Sequence, residues 1–308
     1  MTPTISILVS TFNRCHLVQR ALDSILSQTF TDFELFIIDD QSTDGTEAVI
    51  KRRYPDKRIT YIYNEQNQAG EHGDKIHIRR FVHELARGKY WIYLDSDDFW
   101  LMPNLLARQV ALFEAYNDVA MVTGAQQSYF VPEDRTEFTK GVLPQFLYSD
   151  VFLKYFANDP IGCNIIGGAR LYNREMFIKS GALTSNDGRW ESGFELTLAP
   201  ACYGDHIYID EPCIHTDIRP ENASFGETQH QHFIDSVASV RAAFRKALID
   251  FPERALAEIQ RRTIQNIGKA YLANAECIKL GEKLGYCSEA NTARYVTPED
   301  VAAVEAGL

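Results

Sequence analysis

Three carboxylates stand within four positions at Asp95, Asp97 and Asp98, with Ser96 between the first two, directly after the apolar run "YWIYL". A second acidic pair, Asp39-Asp40, closes "FELFII" and leads into a turn rich in Ser, Asp and Gly. A third polar stretch, "STFN", supplies Thr11 and Asn13 after the apolar "ISILV". Carboxylates crowded at one rim repel each other, and a divalent cation relieves that repulsion. Mg2+ or Mn2+ takes hard oxygen ligands and commonly completes its shell with substrate phosphates. The competing reading is turn chemistry, since Asp, Ser and Gly favour loops and caps. It suffices for Asp44-Gly45. It does not account for acidic clusters closing two separate strand-like runs.

The elements that must position these groups alternate through the first half of the chain. Strand-like runs "TISILVST", "FELFIID", "RITYIY" and "KYWIYL" are separated by helical patterns. One runs from about His16 to Leu26, one is capped by Ser42 or Thr43 and continues through Tyr54, and one covers 74–86 and is ended by Gly88. Strands joined by helical crossovers predict an α/β fold with a mostly parallel twisted sheet flanked by helices. Ligands of such sheets bind outside the carboxyl ends of the strands, where all three polar clusters fall. Trp91 and Tyr93 read as core, and Phe99 and Trp100 as packing beneath the site. His72 and His77, near Glu71 and Asp74, read as surface histidines at a helix start.

With 308 residues, 45% hydrophobic and 24% charged, the chain has the composition of a soluble globular protein. Its net charge of −11 argues against non-specific nucleic-acid binding. Six cysteines show no CxxC or His/Cys ligand spacing, as expected of reduced thiols in the cytoplasm. No apolar run is long enough to span a bilayer, and "MTPTISILVS" lacks the basic start of a signal peptide. Residues 229–308 read as a helical C-terminal extension, with Phe233, Val237, Val240, Phe244 and Leu248 on one apolar face. That extension could form a homodimer, shape an acceptor site, or make peripheral contact with the inner face of a membrane.

The stretches "ISILVSTFNR", "SILSQTFTDFELFIIDDQSTDGT", "ELARGKYWIYLDSDDFWLMPNLL" and, more loosely, "YIDEPCIHTDIRPENAS" resemble the inverting family 2 nucleotide-sugar glycosyltransferases of GT-A fold, spore-coat polysaccharide glycosyltransferases among them. The resemblance implies a nucleotide-sugar-binding half at 1–98 and an acceptor-binding half at 99–228 of one GT-A domain. It implies metal-dependent transfer of a sugar, from a UDP-linked donor, to a glycan or lipid-linked saccharide acceptor, with Mn2+ or Mg2+ as cofactor. Thr11 and Asn13 would line the nucleotide pocket, Asp40 would accept from the base with Asp39 nearby, and Arg79 would lie near the diphosphate. Asp95, Ser96 and Asp97 match the DXD motif, with Asp97 as direct metal ligand and Asp98 in support.

The chain departs from the family pattern where the catalytic base is usually an Asp. Here "WESGFELTL" places Gly193, flanked by Glu191 and Glu195, and Glu191 is the first candidate. The family's late metal-ligating His falls on Arg219, with His215 four residues earlier as substitute, and Arg80 stands where an Asn is usual. A catalytically degenerate sugar-nucleotide binder is therefore an alternative. A nucleotidyltransferase is a weaker one, because "STFNRCH" carries no glycine for a phosphate loop.

Overall fold

The computed structural model describes residues 2–68, 75–117, 119–131, 134–138, 168–180 and 204–219, together with Leu183, Leu196 and Pro200. The first four strands are β1 (Ile5–Thr11), β2 (Phe33–Asp39), β3 (Ile59–Tyr63) and β4 (Tyr90–Asp95). All four run parallel in the order β3-β2-β1-β4. Between them lie α1 (Val18–Leu26), α2 (Thr46–Arg53) and α3 (Lys75–Arg80), the last continuing as a π-helical turn over Phe81–Leu85. β1 therefore has neighbours reached by crossovers in both directions, which opens a crevice at its carboxyl end.

The sheet continues less regularly than the sequence predicts. β5 (Phe99–Trp100), α4 (Leu105–Ala115), β6 (Val119–Phe130), β7 (Arg135–Phe138), β8 (Gly168–Asn173), α5 (Arg174–Lys179) and β9 (Asp205–Ile218) follow in the chain. β8 is wedged antiparallel between β4 and β6, and β5 runs antiparallel to β9. Parallel pairing is thus confined to the first four strands and to β6–β9. The sheet is mixed and twisted, flanked by helices, a GT-A arrangement. The C-terminal extension lies outside the described residues. No helix among those described is long and apolar enough to cross a membrane.

Both faces of β1 and β2, and most of β4, are buried, as a sheet covered by crossover helices requires, while β3 at the sheet edge is partly exposed. Ile5, Ile7, Val9, Leu35, Ile37, Ile92 and Leu94 face α1 and α4, while Leu8, Phe36, Ile38 and Trp91 face the α3 side. The alternation follows the two-residue period of a strand. Trp91 is fully buried, stacked on Tyr172 at 4.4 Å and met edge-on by Phe177. Gly88 is fixed by close approach rather than by ending a helix: a Cβ there would lie 2.6 Å from the Ser6 backbone nitrogen on β1.

The start of α2 differs from the sequence expectation. Asp44, not Ser42 or Thr43, serves it: its Oδ1 accepts from the Thr46 amide at 3.1 Å and from the Thr46 hydroxyl at 2.5 Å. Gly45 supplies the left-handed residue at the helix start, φ +89°. Ser42 and Thr43 face the other way, toward the end of β1, and belong to the site.

Candidate active site

Register brings the acidic clusters together. Thr11 pairs with Asp39 across β1 and β2, and Ser10 pairs with Asp95 across β1 and β4. Neighbouring strands stand about 4.8 Å apart, so the ends of β2, β1 and β4 form one polar edge. Asn13, at φ 51°, turns the chain away from β1. Its amide donates to the Ser42 hydroxyl at 2.8 Å and its Oδ1 accepts from the Thr43 amide at 2.8 Å. The loops after β1 and β2 are thereby stitched to each other. Thr11 is buried, and its hydroxyl has no hydrogen-bond partner among the described residues.

Asp39 and Asp40 divide the work of holding this edge. Asp39 is fully buried, with Oδ1 accepting from the Ser42 amide at 2.8 Å and Oδ2 from the Tyr61 hydroxyl at 2.6 Å. Burial first, and then that bond to Asp39, push the Tyr61 hydroxyl well above its ordinary pKa, so it stays a donor. Asp40 accepts from the Gln68 amide with both oxygens at 2.9 Å and from Asn64 Nδ2 at 3.0 Å, and its own amide donates to the Thr11 carbonyl at 2.9 Å. Arg79 is exposed on α3, and Phe12 stands 46% exposed at the tip beyond Thr11.

At the end of β4 the chain turns tightly, the Asp98 amide donating to the Asp95 carbonyl at 3.1 Å. Asp95 is exposed and accepts from the Tyr93 hydroxyl, which also lies 3.1 Å from the Ser10 hydroxyl. Tyr93 is half-buried: its ring packs against the core cluster of Leu8, Phe36 and Trp91, as its alternation with Leu94 predicts, while its hydroxyl reaches the rim. Ser96 is buried beside it. Asp97 Oδ2 meets Arg14 Nη1 at 2.6 Å, and its carbonyl accepts from Arg20 at 3.0 Å. Asp98 is buried. Desolvation first, then the charges of Asp95 and Asp97, raise its carboxyl well above the usual range, against a bond from Thr216 that lowers it.

His215 lies on β9 across from Phe99, its ring stacked on that side chain at 4.6 Å. Nδ1 is 3.0 Å from Gln127 Nε2, and Nε2 is 2.9 Å from Asp217 Oδ1. Arg20 and Arg219 each donate to Asp217 Oδ2 at 2.8 Å. Burial alone would raise Asp217, but the bonds from Arg20 and His215 and the charges of Arg20 and Arg219 hold it below the ordinary carboxylate value. Phe99 is packed between His215 and the Arg20 guanidinium, 5.0 Å from the ring centre. Glu191 and Glu195 lie outside the described residues.

Asp95, Asp97 and Asp98 supply the hard oxygen donors that Mg2+ or Mn2+ prefers. Burial first and the neighbouring charges of Asp95 and Asp97 second disfavour the charged form of Asp98, and a bound cation would offset both, so the acidic turn fits one. Among the described residues, no three His, Cys, Asp or Glu side chains are already drawn around a common point. Asp97 is turned to Arg14, and both nitrogens of His215 are engaged. Ligation by His215 requires Nε2 to leave Asp217 or Nδ1 to leave Gln127.

The carboxylate balance makes a stability prediction. A carboxyl whose folded pKa is raised above its unfolded value keeps its proton longer in the folded chain. Stability then falls as pH rises from about 4 through the folded value. Asp98→Asn should therefore raise the melting temperature of metal-free protein at pH 7 by about 2–4 °C, corresponding to roughly 1 kcal/mol, and leave it unchanged below about pH 4. The same variant should lose any rise in melting temperature that Mn2+ gives the natural chain. Calorimetric scans at the two pH values decide it.

Sequence reasoning missed Arg14, Arg20, Asn64, His77, Tyr93 and Asp217. The two-residue spacing of His215 and Asp217, placing both on one face of a strand, was a signal available for Asp217.

A mixed, helix-flanked sheet whose parallel half ends in an acidic crevice at β1, β2 and β4 is of GT-A type. The chain belongs to glycosyl transferase family 2, whose profile matches residues 6–181. It is 30% identical over 159 residues to the Escherichia coli UDP-Glc:alpha-D-GlcNAc-diphosphoundecaprenol beta-1,3-glucosyltransferase WfgD, a match covering 52% of this chain and 57% of that one. Similar curated relatives are matched over 25% to 60% of their length. Staphylococcus aureus TarS 1-349 in complex with UDP-GlcNAc shares the fold at TM-score 0.59 and 15% identity, over 86% of this chain and 71% of that one. The mannosyltransferase PcManGT from Pyrobaculum calidifontis, in complex with GDP-Man and Mn2+, shares it at TM-score 0.53 and 17% identity, over 99% and 87%.

Proposed function

We propose that the chain transfers a sugar from a UDP-linked donor to a lipid-linked saccharide, inverting the anomeric centre, with Mn2+ or Mg2+ held by Asp95, Asp97 and Asp98. The observation that carries this is the convergence of the acidic turn after β4 with the buried, bonded edge formed by Thr11, Asp39 and Asp40. Two facts about similar proteins support the chemistry: one solved neighbour binds a UDP-sugar and another a nucleotide-sugar with Mn2+. The printed name of the Escherichia coli relative supports a diphosphoundecaprenol-type acceptor. Residues 1–98 would form the donor half and 99–228 the acceptor half.

In this reading Asp40, an acceptor when ionised, takes the imide N–H of uracil. The unpartnered Thr11 hydroxyl gains a partner in the nucleotide. Asn13, by fixing the two loops, keeps both in place, and Arg79 swings from its exposed position to the diphosphate. A divalent ion, when bound, neutralises charge developing on the leaving diphosphate. Glu191 or Glu195 removes the proton of the acceptor hydroxyl as it attacks from the face opposite that leaving group.

Isothermal titration with UDP tests the proposal. Affinity should be at least about tenfold weaker in EDTA than in Mn2+, and CDP should bind more weakly than UDP. Equal UDP affinity in the two buffers overturns the metal's part. Binding with no turnover on any lipid-linked acceptor overturns the enzymatic one.

A further inference from the structure

His77 does not lie where the sequence predicts. Its side chain is fully buried, and neither ring nitrogen has a hydrogen-bond partner among the described residues. Its neighbour Ile78 packs among Leu8, Phe36, Ile38 and Trp91. An apolar residue at 77 would satisfy burial at lower cost, because a buried polar group without a partner opposes folding. The imidazole therefore calls for another explanation. Its Nε2 lies 3.4 Å from Asp40 Oδ1, beyond a well-formed bond and within a small side-chain shift of one.

Asp40 is where α3 touches the candidate nucleotide edge, and it does so twice. Arg80, one helical turn from His77 and so on the same side, reaches Asn64 Oδ1 with Nη1 at 3.5 Å, and Asn64 Nδ2 donates to Asp40 Oδ1 at 3.0 Å. With both oxygens the carboxylate also holds the Gln68 amide, and the Asp40 backbone amide holds the end of β1. A carboxylate that ties a loop and a strand end together must be kept in one rotamer. Asn64 bonds Oδ1, and the buried His77 ring holds its Nε2 3.4 Å from the same oxygen.

We propose that His77 is a positioning residue for the nucleotide site. From the core side of α3 it orients the Asp40 carboxylate, and through Asp40 it sets the loop at residues 64–68 and the preference for a base bearing an imide N–H. The second half rests on the nucleotide-binding reading above, and the first half does not.

Two variants separate its donor from its volume. His77→Gln keeps an N–H near the place of Nε2, whereas His77→Met fills the space with no donor. In ligand-free protein, amide exchange at Gln68 should be about tenfold faster in His77→Met and near the natural rate in His77→Gln. UDP affinity should fall about tenfold in His77→Met, with the preference for UDP over CDP reduced, and stay within about threefold in His77→Gln. A merely space-filling role would make the methionine variant the better mimic. Should His77→Met melt far below the natural protein, His77→Asn, polar but too short to reach Asp40, takes its place with the same expectation. Natural Gln68 exchange and natural UDP preference in the donor-less variant overturn the proposal. If the natural protein binds neither UDP nor CDP, the nucleotide reading fails by itself, and Gln68 exchange still decides whether His77 orients Asp40.

Discussion

Replacing Asp97 with alanine should lower turnover by about 10³-fold while leaving the protein folded. Charge neutralisation at a diphosphate leaving group is worth several kcal/mol in the transition state, and about 4 kcal/mol corresponds to that factor. The turn should survive the substitution, because Arg20 binds the Asp97 carbonyl, not its side chain, and the Asp98 amide still reaches the Asp95 carbonyl. What the folded chain loses is the ion pair with Arg14, whose side chains are 38% and 23% exposed. Pairs this open contribute at most about 1 kcal/mol, so the melting temperature should move by only about 2–4 °C. UDP affinity in Mn2+ should also fall toward the value measured in EDTA. Natural turnover in Asp97→Ala would remove Asp97 from the site. A large drop in melting temperature would instead make it a structural residue.

The parts of this site legible in the sequence are those written locally. Acidic clusters closing apolar runs marked the strand ends, and alternating strand and helix patterns placed those ends on one edge of a parallel sheet. Register was not legible: nothing in the spacing of Thr11, Asp39 and Asp95 says that the first two are direct partners while Asp95 aligns with Ser10. Competition among similar groups hid the start of α2. Ser42, Thr43 and Asp44 can all cap a helix, and the choice fell to Asp44 because the Ser42 hydroxyl and the Thr43 amide bond Asn13 from another loop. His77 was hidden by its surroundings, since Lys75, Arg79 and Arg80 give α3 the composition of a surface helix. The network at Asp217 joins residues far apart in sequence, such as Arg20. The antiparallel entry of β8 into the sheet had no local signature either, because its partners are set by strands distant in the chain.

Glu191→Gln should lower turnover by about 10²-fold or more and leave UDP affinity unchanged. A positioned base contributes about 10²–10⁴-fold, and glutamine keeps the size and hydrogen bonding of glutamate while losing its basicity. The choice of Glu191 follows from "WESGFELTL", where the family's base position falls on Gly193 and acids stand two residues to either side. Leu196 is buried in the cluster that holds Trp91 and Phe177. Glu195 directly precedes this anchor, and the pattern "FELTLAP" predicts a helix starting near Gly193 whose first turn would hold Glu195, where negative charge meets the helix dipole favourably. A stabilising role suits it. Glu191 lies five residues ahead of the anchor, before that predicted helix, where it would rim the acceptor cleft. The two-residue offset from the family position displaces an extended backbone by up to about 7 Å. Glycine at 193 permits the tighter turn needed to recover that distance. Single-turnover measurements on Glu191→Gln and Glu195→Gln, each with its UDP affinity, separate the two roles. Natural turnover in the first variant with loss in the second moves the base to Glu195. Natural turnover in both rejects a carboxylate base in this segment.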